Sequence, residues 1–273
     1  LAVFDTILVP MCKITRCGPV MEQAICTAKR ERARLRGLYV VDEEDLVPPA
    51  GTEGIDAVGW REVIEPELRA AGEAALAELR SQCALAGVPV ETTLAVGSIK
   101  DVICREAKVL DLIVLGRCGD YTRRPLLVGC SALEGSIRYC DCPTLAVGDR
   151  ARQVRHALVA YDGGASANAA LAMAADLSLE WSVPLTLLTV VEKNTSRDAL
   201  AQGRAFLQRI GVECRGVLRE GAAATEILRL SEEEDVDLII MGAYCHGRVQ
   251  ELVFGGTVCQ VLERSVRPVL VCH

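Results

Sequence analysis

Aromatic residues are scarce in this chain, basic residues are fewer than acidic ones, and long apolar runs are missing. Phe, Tyr and Trp make up 4% of the 273 residues, and 37 acidic residues outnumber 30 Lys and Arg, which gives a net charge of −7. Few stacking side chains and an acidic balance argue against a main partner that is nucleic acid. No stretch approaches the ~18 consecutive apolar residues of a membrane helix. The opening residues LAVFD carry no basic segment, so no signal peptide is expected.

Motifs of several common enzyme sites are also missing. No G-x-G-x-x-G follows an apolar run, and no G-x-S-x-G is present. The three histidines are His156, His246 and His273, and none has the spacing of a Ser-His-Asp or Cys-His arrangement. We therefore predict no catalytic residue.

Cysteine, in contrast, is abundant, with 13 residues scattered mostly through apolar segments. Because disulfide-rich secreted chains are usually short and rich in loops, we expect a cytoplasmic protein whose cysteines mostly pack as small apolar side chains. Cys140 and Cys142 form a C-x-C pair that, with Cys118 and Cys130, offers a thiolate metal or redox site. The strong zinc spacings are absent, which favours simple packing.

The chain repeats itself. Residues 112–116 (LIVLG) match residues 238–242 (LIIMG), and residues 143–147 (PTLAV) match residues 268–272 (PVLVC). A repeat of this length predicts two copies of one domain.

We place domain 1 at residues 1–148 and domain 2 at residues 154–273, with a polar linker between them. The first copy is longer because of a loop-like segment around residues 48–54.

Each half alternates short apolar runs with amphipathic segments. The predicted strands are 5–11, 37–41, 90–95, 111–115 and 143–147 in the first half, and 156–161, 185–191, 213–218, 237–241 and 268–272 in the second. The helices predicted in the first half are 19–35, 60–86, 99–108 and 130–139. Nearly continuous apolar strands are typical of sheets covered on both faces. The pattern predicts two α/β, doubly wound domains, each a five-stranded parallel sheet with helices on both faces.

A glycine-rich segment follows the fourth strand of the first half. Gly116, Gly119 and Gly129 stand at G-x2-G-x9-G, and Cys130 and Ser131 come next, where a helix is predicted to begin. Ligands of open α/β sheets bind at the carboxyl ends of the strands. Glycines let backbone N–H groups approach an anion there, and a helix N-terminus favours negative charge. The residues alone therefore predict an anion-binding loop.

The arrangement resembles the universal stress protein family, in two copies that cover nearly the whole chain. The resemblance implies the adenine nucleotide alpha hydrolase-like fold. Nucleotide-binding members of that family carry G-x2-G-x9-G and then Ser or Thr after strand 4, and an Asp at the end of strand 1 near the ribose. Backbone after strand 2, here at Val41, holds the adenine in those members. The resemblance thus implies a stress-response regulatory protein that binds ATP, ADP or AMP, with Mg²⁺ as an optional companion.

Each half keeps only part of that pattern. In the first half, Cys130 stands at the Ser/Thr position and Cys12 at the Asp position. In the second half Asp162 is kept and Gly242 opens the loop, but Cys245 replaces the second glycine. The other second-half candidates lie at the start of the next helix and are Gly255, Gly256 and Thr257. Asp162 has an alternative role as a cap of the helix that follows it.

Three functions stay open at this point. The first is a regulatory protein that binds an adenine nucleotide in one or both halves, and slow ATP hydrolysis stays open with it. The second is a nucleotide-free scaffold for protein association, and the third is a thiol or metal sensor that uses the loop cysteines. The resemblance also implies that the fifth strands, 143–147 and 268–272, pair and make the halves an internal pseudo-dimer. Other protein partners and a homodimer stay open.

Overall fold

The computed structural model describes residues 2–11, 17–49, 56–117, 132–192, 196–243 and 256–273. The chain divides into two compact units, Phe4–Cys140 and Asp141–His273, the second of which also includes the residues before Phe4. We name them the N-terminal unit and the C-terminal unit.

Strands and helices alternate through the N-terminal unit. Its strands are β1 (Thr6–Met11), β2 (Arg34–Asp42), β3 (Val90–Gly97) and β4 (Leu112–Gly116). Its helices are α1 (Gly18–Glu31), α2 (Ala57–Ala86), α3 (Ile99–Ala107) and α4 (Ala132–Tyr139). The strands are parallel, in the order β3-β2-β1-β4.

The C-terminal unit repeats this arrangement. Its strands are β5 (Thr144–Val147), β6 (Ala157–Ala160), β7 (Leu185–Val191), β8 (Cys214–Glu220), β9 (Leu238–Gly242) and β10 (Val269–Cys272). Its helices are α5 (Ala165–Trp181), α6 (Asp198–Arg209), α7 (Ala223–Glu233) and α8 (Gly256–Arg264). The order is β5-β10-β9-β6-β7-β8, and β6 to β10 are parallel. The predicted α/β class, with a mainly parallel sheet, is confirmed.

β5 comes from the first sequence repeat but lies in the C-terminal unit. Residues 269–271 of β10 face residues 146–144 of β5 in antiparallel register. Every residue of both strands is buried. The predicted pairing of the two fifth strands is confirmed, whereas the boundaries at 1–148 and 154–273 stay a prediction.

An acidic side chain before the fourth strand of each repeat holds the start of the first strand. Asp111 Oδ2 accepts hydrogen bonds from the backbone N–H groups of Asp5 (3.0 Å) and Thr6 (2.9 Å). Asp237 Oδ2 accepts one from the N–H of Arg155 at 2.9 Å. These bonds satisfy backbone donors at the amino ends of the strands and align the strands whose other ends border the candidate site.

Several boundaries differ from the sequence prediction, and two of them have a visible local cause. Helix α1 ends at Glu31 rather than at residue 35, because Arg32 adopts a left-handed conformation with φ of 57° and β2 begins at Arg34. The predicted helix near residue 60 begins earlier, at Ala57, where the Asp56 Oδ1 atom accepts a hydrogen bond from the N–H of Gly59 at 2.7 Å. Residues 50–55 of the loop-like segment lie outside the described residues.

Candidate functional site

The candidate site of each unit lies where the strand order reverses. In the C-terminal unit β6 lies between β7 and β9, so the chain leaves β6 on one side and later returns on the other. The carboxyl ends of β6 and β9 therefore border the crevice in which open α/β sheets bind ligands. Asp162 follows β6, and Gly242 ends β9. In the N-terminal unit the corresponding strands are β1 and β4, and Gly116 ends β4.

The registers show which residues of the two repeats correspond. Ile7 of β1 lies opposite Leu112 of β4, and Ala157 of β6 lies opposite Leu238 of β9, so Ile7 and Ala157 occupy equivalent positions. Cys12 and Asp162 each lie five residues further along the chain and therefore correspond to each other. Cys12 itself lies outside the described residues.

A tight turn holds Asp162 at the end of β6. The Asp162 Oδ1 atom accepts a hydrogen bond from the N–H of Gly164 at 2.8 Å. Gly163 has φ of +85°, which favours glycine over residues with a side chain. Because α5 begins at Ala165 with Gly164 as its N-cap, this bond closes a turn before the helix. The N-cap residue of α5 is thus Gly164 rather than Asp162, and a capping contribution of the Asp162 side chain stays a prediction.

Tyr161 supports this turn from inside the unit. Its hydroxyl donates a hydrogen bond to Asn168 Oδ1 at 2.8 Å, and Thr189 Oγ1 donates one to its backbone carbonyl at 2.9 Å. Burial, and next the negative charge of Asp162, raise the pKa of the phenol. The group therefore stays protonated at neutral pH and remains a hydrogen-bond donor.

Gly242 is required by packing. A Cβ atom at this position would lie 2.6 Å from both the carbonyl carbon and the Oγ atom of Ser166, in the first turn of α5. Since that distance is shorter than real Cβ contacts, only glycine lets β9 approach α5 so closely. The first glycine of the second loop thus has a structural reason that does not depend on a ligand.

Helix α8 brings donors to the same edge of the sheet. It begins at Gly256, which is exposed, and Thr257, half-buried, follows in its first turn. Because α8 connects the parallel strands β9 and β10, its N-terminus lies at their carboxyl ends. Backbone N–H groups, the helix dipole and a hydroxyl together suit a phosphate. Gly255 lies outside the described residues.

The structure describes fewer candidates in the N-terminal unit. Gly116 ends β4, and α4 begins at Ala132. Four candidates between them lie outside the described residues: Gly119, Gly129, Cys130 and Ser131. Val41 is buried in β2 opposite Val96 of β3, and the same register places Val191 of β7 at the corresponding position of the second repeat.

Glu192, next to Val191, lies at the carboxyl end of β7 and was missed by the sequence analysis. Its Oε1 atom accepts a hydrogen bond from the N–H of Ala223 at 2.5 Å, at the first residue of α7. The N-cap of α7 is Ala222, which has no side-chain acceptor, whereas the corresponding Ser98 Oγ caps α3. The sequence offered one sign of this contact, because Ala222 stands where the first repeat has Ser98. Alanine has no side-chain acceptor, so the first N–H groups of α7 require an acceptor from another element.

A disulfide joins Cys104 of α3 to Cys140, which directly follows α4. This bond is an exception to the expectation that the cysteines act as small apolar side chains. Nothing in the sequence singled out Cys104, because it lies inside an ordinary amphipathic helix. Cys272 fits the expectation, since burial raises the pKa of its thiol to about 12. Across the described residues, no group of three or more His, Cys, Asp or Glu side chains could hold a metal ion.

His156 lies away from the candidate site. Its Nε2 atom is hydrogen-bonded to Thr186 Oγ1 at 2.9 Å, and that hydroxyl donates to Glu234 Oε2 at 2.7 Å. These residues are at the amino ends of β6 and β7, the edge opposite Asp162. His246 lies outside the described residues. In the described part of the chain, no helix is long and apolar enough to cross a membrane.

The strand order, the repeated unit and the helix that starts beside the switch point define a class of α/β proteins with two copies of one domain. The sequence model of the universal stress protein family matches residues 4–148 and 195–273. The chain belongs to the universal stress protein family.

Individual relatives agree with this assignment. Universal stress protein Slr1230 from Synechocystis sp. is 32% identical over 163 residues, which are 59% of this chain and 57% of that protein. Universal stress protein Sll1654 from the same organism is 30% identical over 154 residues, 50% of this chain and 98% of that protein. The chain thus spans just over half the length of Slr1230.

A solved universal stress protein from Archaeoglobus fulgidus has the same fold over almost the entire chain. It superposes with a TM-score of 0.78 and covers 99% of this chain and 96% of its own. Its sequence identity is 22%, so this likeness concerns the fold alone.

Proposed function

We propose that this protein is a stress-response regulator that binds an adenine nucleotide at the carboxyl edge of the strands, in one or both units. One observation carries the proposal: a glycine-containing turn holds Asp162 at the switch point of the C-terminal unit, beside the strand that Gly242 ends. Helix α8 begins at Gly256 on the same edge. A carboxylate and a helix N-terminus on one edge suit a ligand with hydroxyls at one end and an anion at the other.

Each part of the nucleotide has a matching group on this chain. The Asp162 carboxylate would accept hydrogen bonds from the ribose hydroxyls. The first turn of α8, at Gly256 and Thr257, would donate hydrogen bonds to the phosphates. The backbone at Val191, or at Val41 in the first repeat, would contact the adenine.

Mg²⁺ would accompany the phosphates rather than occupy a protein cage. Mg²⁺ usually keeps several water ligands and binds substrate phosphates through one or two protein groups. Across the described residues no cluster of three acidic, His or Cys side chains could hold a metal by itself. We place the protein in the cytoplasm, because its 13 cysteines are scattered through a long chain, whereas disulfide-rich secreted chains are usually short and rich in loops.

The decisive experiment is calorimetric titration of the whole chain with ATP, ADP and AMP, with and without MgCl₂. We expect Asp162→Asn to weaken binding about 10-fold or more, because a hydrogen bond to a charged group contributes about 1.5–3 kcal/mol. Asp176→Asn is the matched control, since Asp176 is exposed on α5 and the change removes the same charge. The measured stoichiometry tells whether one unit or both units bind.

Two outcomes would contradict the proposal. One is no binding of any adenine nucleotide by calorimetry, together with none released from the denatured protein in mass spectrometry. The other, equal affinity of Asp162→Asn and Asp176→Asn, would contradict the part of the proposal that places a nucleotide in the C-terminal unit.

A nucleotide-free scaffold is the second candidate function. It is favoured by Gly242, whose presence close packing against Ser166 already explains without a ligand. The replacement of expected ligand positions by Cys12, Cys130 and Cys245 points the same way. The absence of nucleotide in both measurements above would support this candidate.

A further inference from the structure

The disulfide between Cys104 and Cys140 connects two neighbouring helices of the N-terminal unit. The two Cα atoms are 5.1 Å apart, within the range of about 4.4–6.8 Å that an unstrained backbone needs for such a bond. Cys104 is half-buried, whereas Cys140 is buried with 4% of its surface exposed. Cys104 is therefore the more exposed residue of the pair and Cys140 the more sheltered one.

The bond is attached at Cys140, directly after α4. The described part of α4 has 8 residues, and because isolated helical segments shorter than about 12 residues are marginal in water, this part depends on contacts with its neighbours. The N–H of Cys140 donates to the carbonyl of Ser136 at 3.1 Å and so continues the helical pattern to the sulfur-bearing residue. Next to Cys140, the exposed Tyr139 ring adds a contact to α3, with Lys100 Nζ 4.7 Å from the ring centre.

The second repeat contains the same helix pair without a covalent bond. Ser265 N–H donates to the carbonyl of Val261 at 2.9 Å, as Cys140 does to Ser136, so Ser265 corresponds to Cys140. The strand registers also make the first residues of α3 and α7, Ile99 and Ala223, equivalent. Because Cys104 and Leu228 each follow five residues later, Leu228 stands at the position of Cys104.

Leu228 and Ser265 are both buried, and α7 and α8 are formed without a disulfide. The fold therefore does not require the bond. A bond that the fold does not require, between one partly exposed and one buried cysteine, suits a reversible switch.

We propose that Cys104 and Cys140 form a reversible redox site that fastens α4 to α3 when oxidised and releases it when reduced. Oxidised glutathione is a sufficient oxidant. The Cys104 thiolate attacks one glutathione sulfur and expels a glutathione thiolate, and the Cys140 thiolate then attacks the Cys104 sulfur of the mixed disulfide and expels the second. Two protein thiols and one glutathione disulfide become one protein disulfide and two glutathione thiols. The inference goes beyond nucleotide binding and does not depend on it.

The test is to equilibrate the whole chain in buffers of varied reduced-to-oxidised glutathione ratio, without nucleotide. Rapid alkylation followed by peptide mass spectrometry gives the oxidised fraction of the Cys104–Cys140 pair. Hydrogen exchange of the same samples gives the protection of α4, with α8 as the internal reference. We expect one reversible transition of the pair, and exchange in α4 at least about 10-fold slower in the oxidised state. Exchange in α8 should stay constant.

Cys104→Leu combined with Cys140→Ser is the matched variant, because it installs the residues that the second repeat already carries. We expect its α4 exchange not to respond to the glutathione ratio, whereas Cys26→Ser, which removes an exposed thiol of α1, should respond like the wild type.

Each of three results would overturn the proposal, and all are measured on the wild type. The first is that Cys104 and Cys140 remain open to alkylation in the most oxidising buffer. The second is that their disulfide resists reduction in the native protein, and the third is that α4 exchanges equally fast in the oxidised and reduced proteins. A failure of nucleotide binding in calorimetry would leave these three readouts unchanged, so the two proposals fail separately.

Discussion

Gly242 ends β9 just before a segment whose glycines suggest ligand binding, yet a Cβ atom there would meet the protein itself at Ser166. A methyl group added there would press on Ser166 at 2.6 Å, so Gly242→Ala must shift α5 or β9. We expect a loss of about 1–3 kcal/mol in the free energy of unfolding, as for other overpacked sites.

Urea unfolding of the variant measures this loss. Gly18→Ala is the control, because a Cβ atom at Gly18 meets nothing within 4 Å. If the two alanine variants unfolded at the same urea concentration, the packing role of Gly242 would be refuted.

Single residues also show where sequence reasoning stops. The sequence identified Asp162 as the residue after a strand, but the bond to Gly164 and the left-handed Gly163 had to be seen in the structure. Glu192 and Cys104 were missed because their partners, Ala223 and Cys140, are distant along the chain and come close only through folding. Local patterns carry no information about such pairs.

The N-termini of the corresponding helices α3 and α7 are satisfied in different ways. Ser98 caps α3 from within the same segment, whereas α7 takes its acceptor from Glu192 at the end of β7. Removing a capping acceptor typically costs about 0.5–2 kcal/mol, and we expect a loss in this range for Glu192→Ala.

Thermal or urea unfolding tests the cap, and Glu213→Ala, an exposed residue just before β8, is the control of equal charge change. A Glu192→Ala protein as stable as the Glu213→Ala protein would mean that water replaces the carboxylate at no cost.

Most elements were predictable from apolar runs, because buried parallel strands are nearly continuous in Val, Ile and Leu. The end of α1 was not, since the left-handed residue that stops it is Arg32 rather than the glycine that usually marks a helix end. The affiliation of β5 was not predictable either. β5 consists of four buried residues, Thr144–Val147, and a short buried strand has the same sequence pattern in either unit.

At the scale of the whole molecule, the position of β5 predicts how the chain can be divided. A fragment of residues 154–273 would lack β5 and expose the backbone edge of β10, whose residues are buried in the intact chain. Because open apolar edges pair with other strands, we expect this fragment to self-associate. A fragment of residues 141–273 keeps β5, which covers this edge of β10, so it should self-associate less than the 154–273 fragment.

Light scattering after size-exclusion chromatography, at several concentrations, distinguishes the two fragments. A monomeric 154–273 fragment, or equal association of both, would contradict the role given to β5.

The pairing of β5 with β10 inside one polypeptide has a consequence for how the repeats can differ. An intramolecular contact does not weaken on dilution, and each of its strands is encoded once. In a symmetric dimer every substitution appears at two places, whereas here it appears at one. Corresponding positions of the two repeats can thus carry different residues, as Cys12 and Asp162 or Cys104 and Leu228 do. Under the two proposals above, one molecule would receive two separate inputs, an adenine nucleotide at the C-terminal unit and the thiol oxidation state at the N-terminal unit.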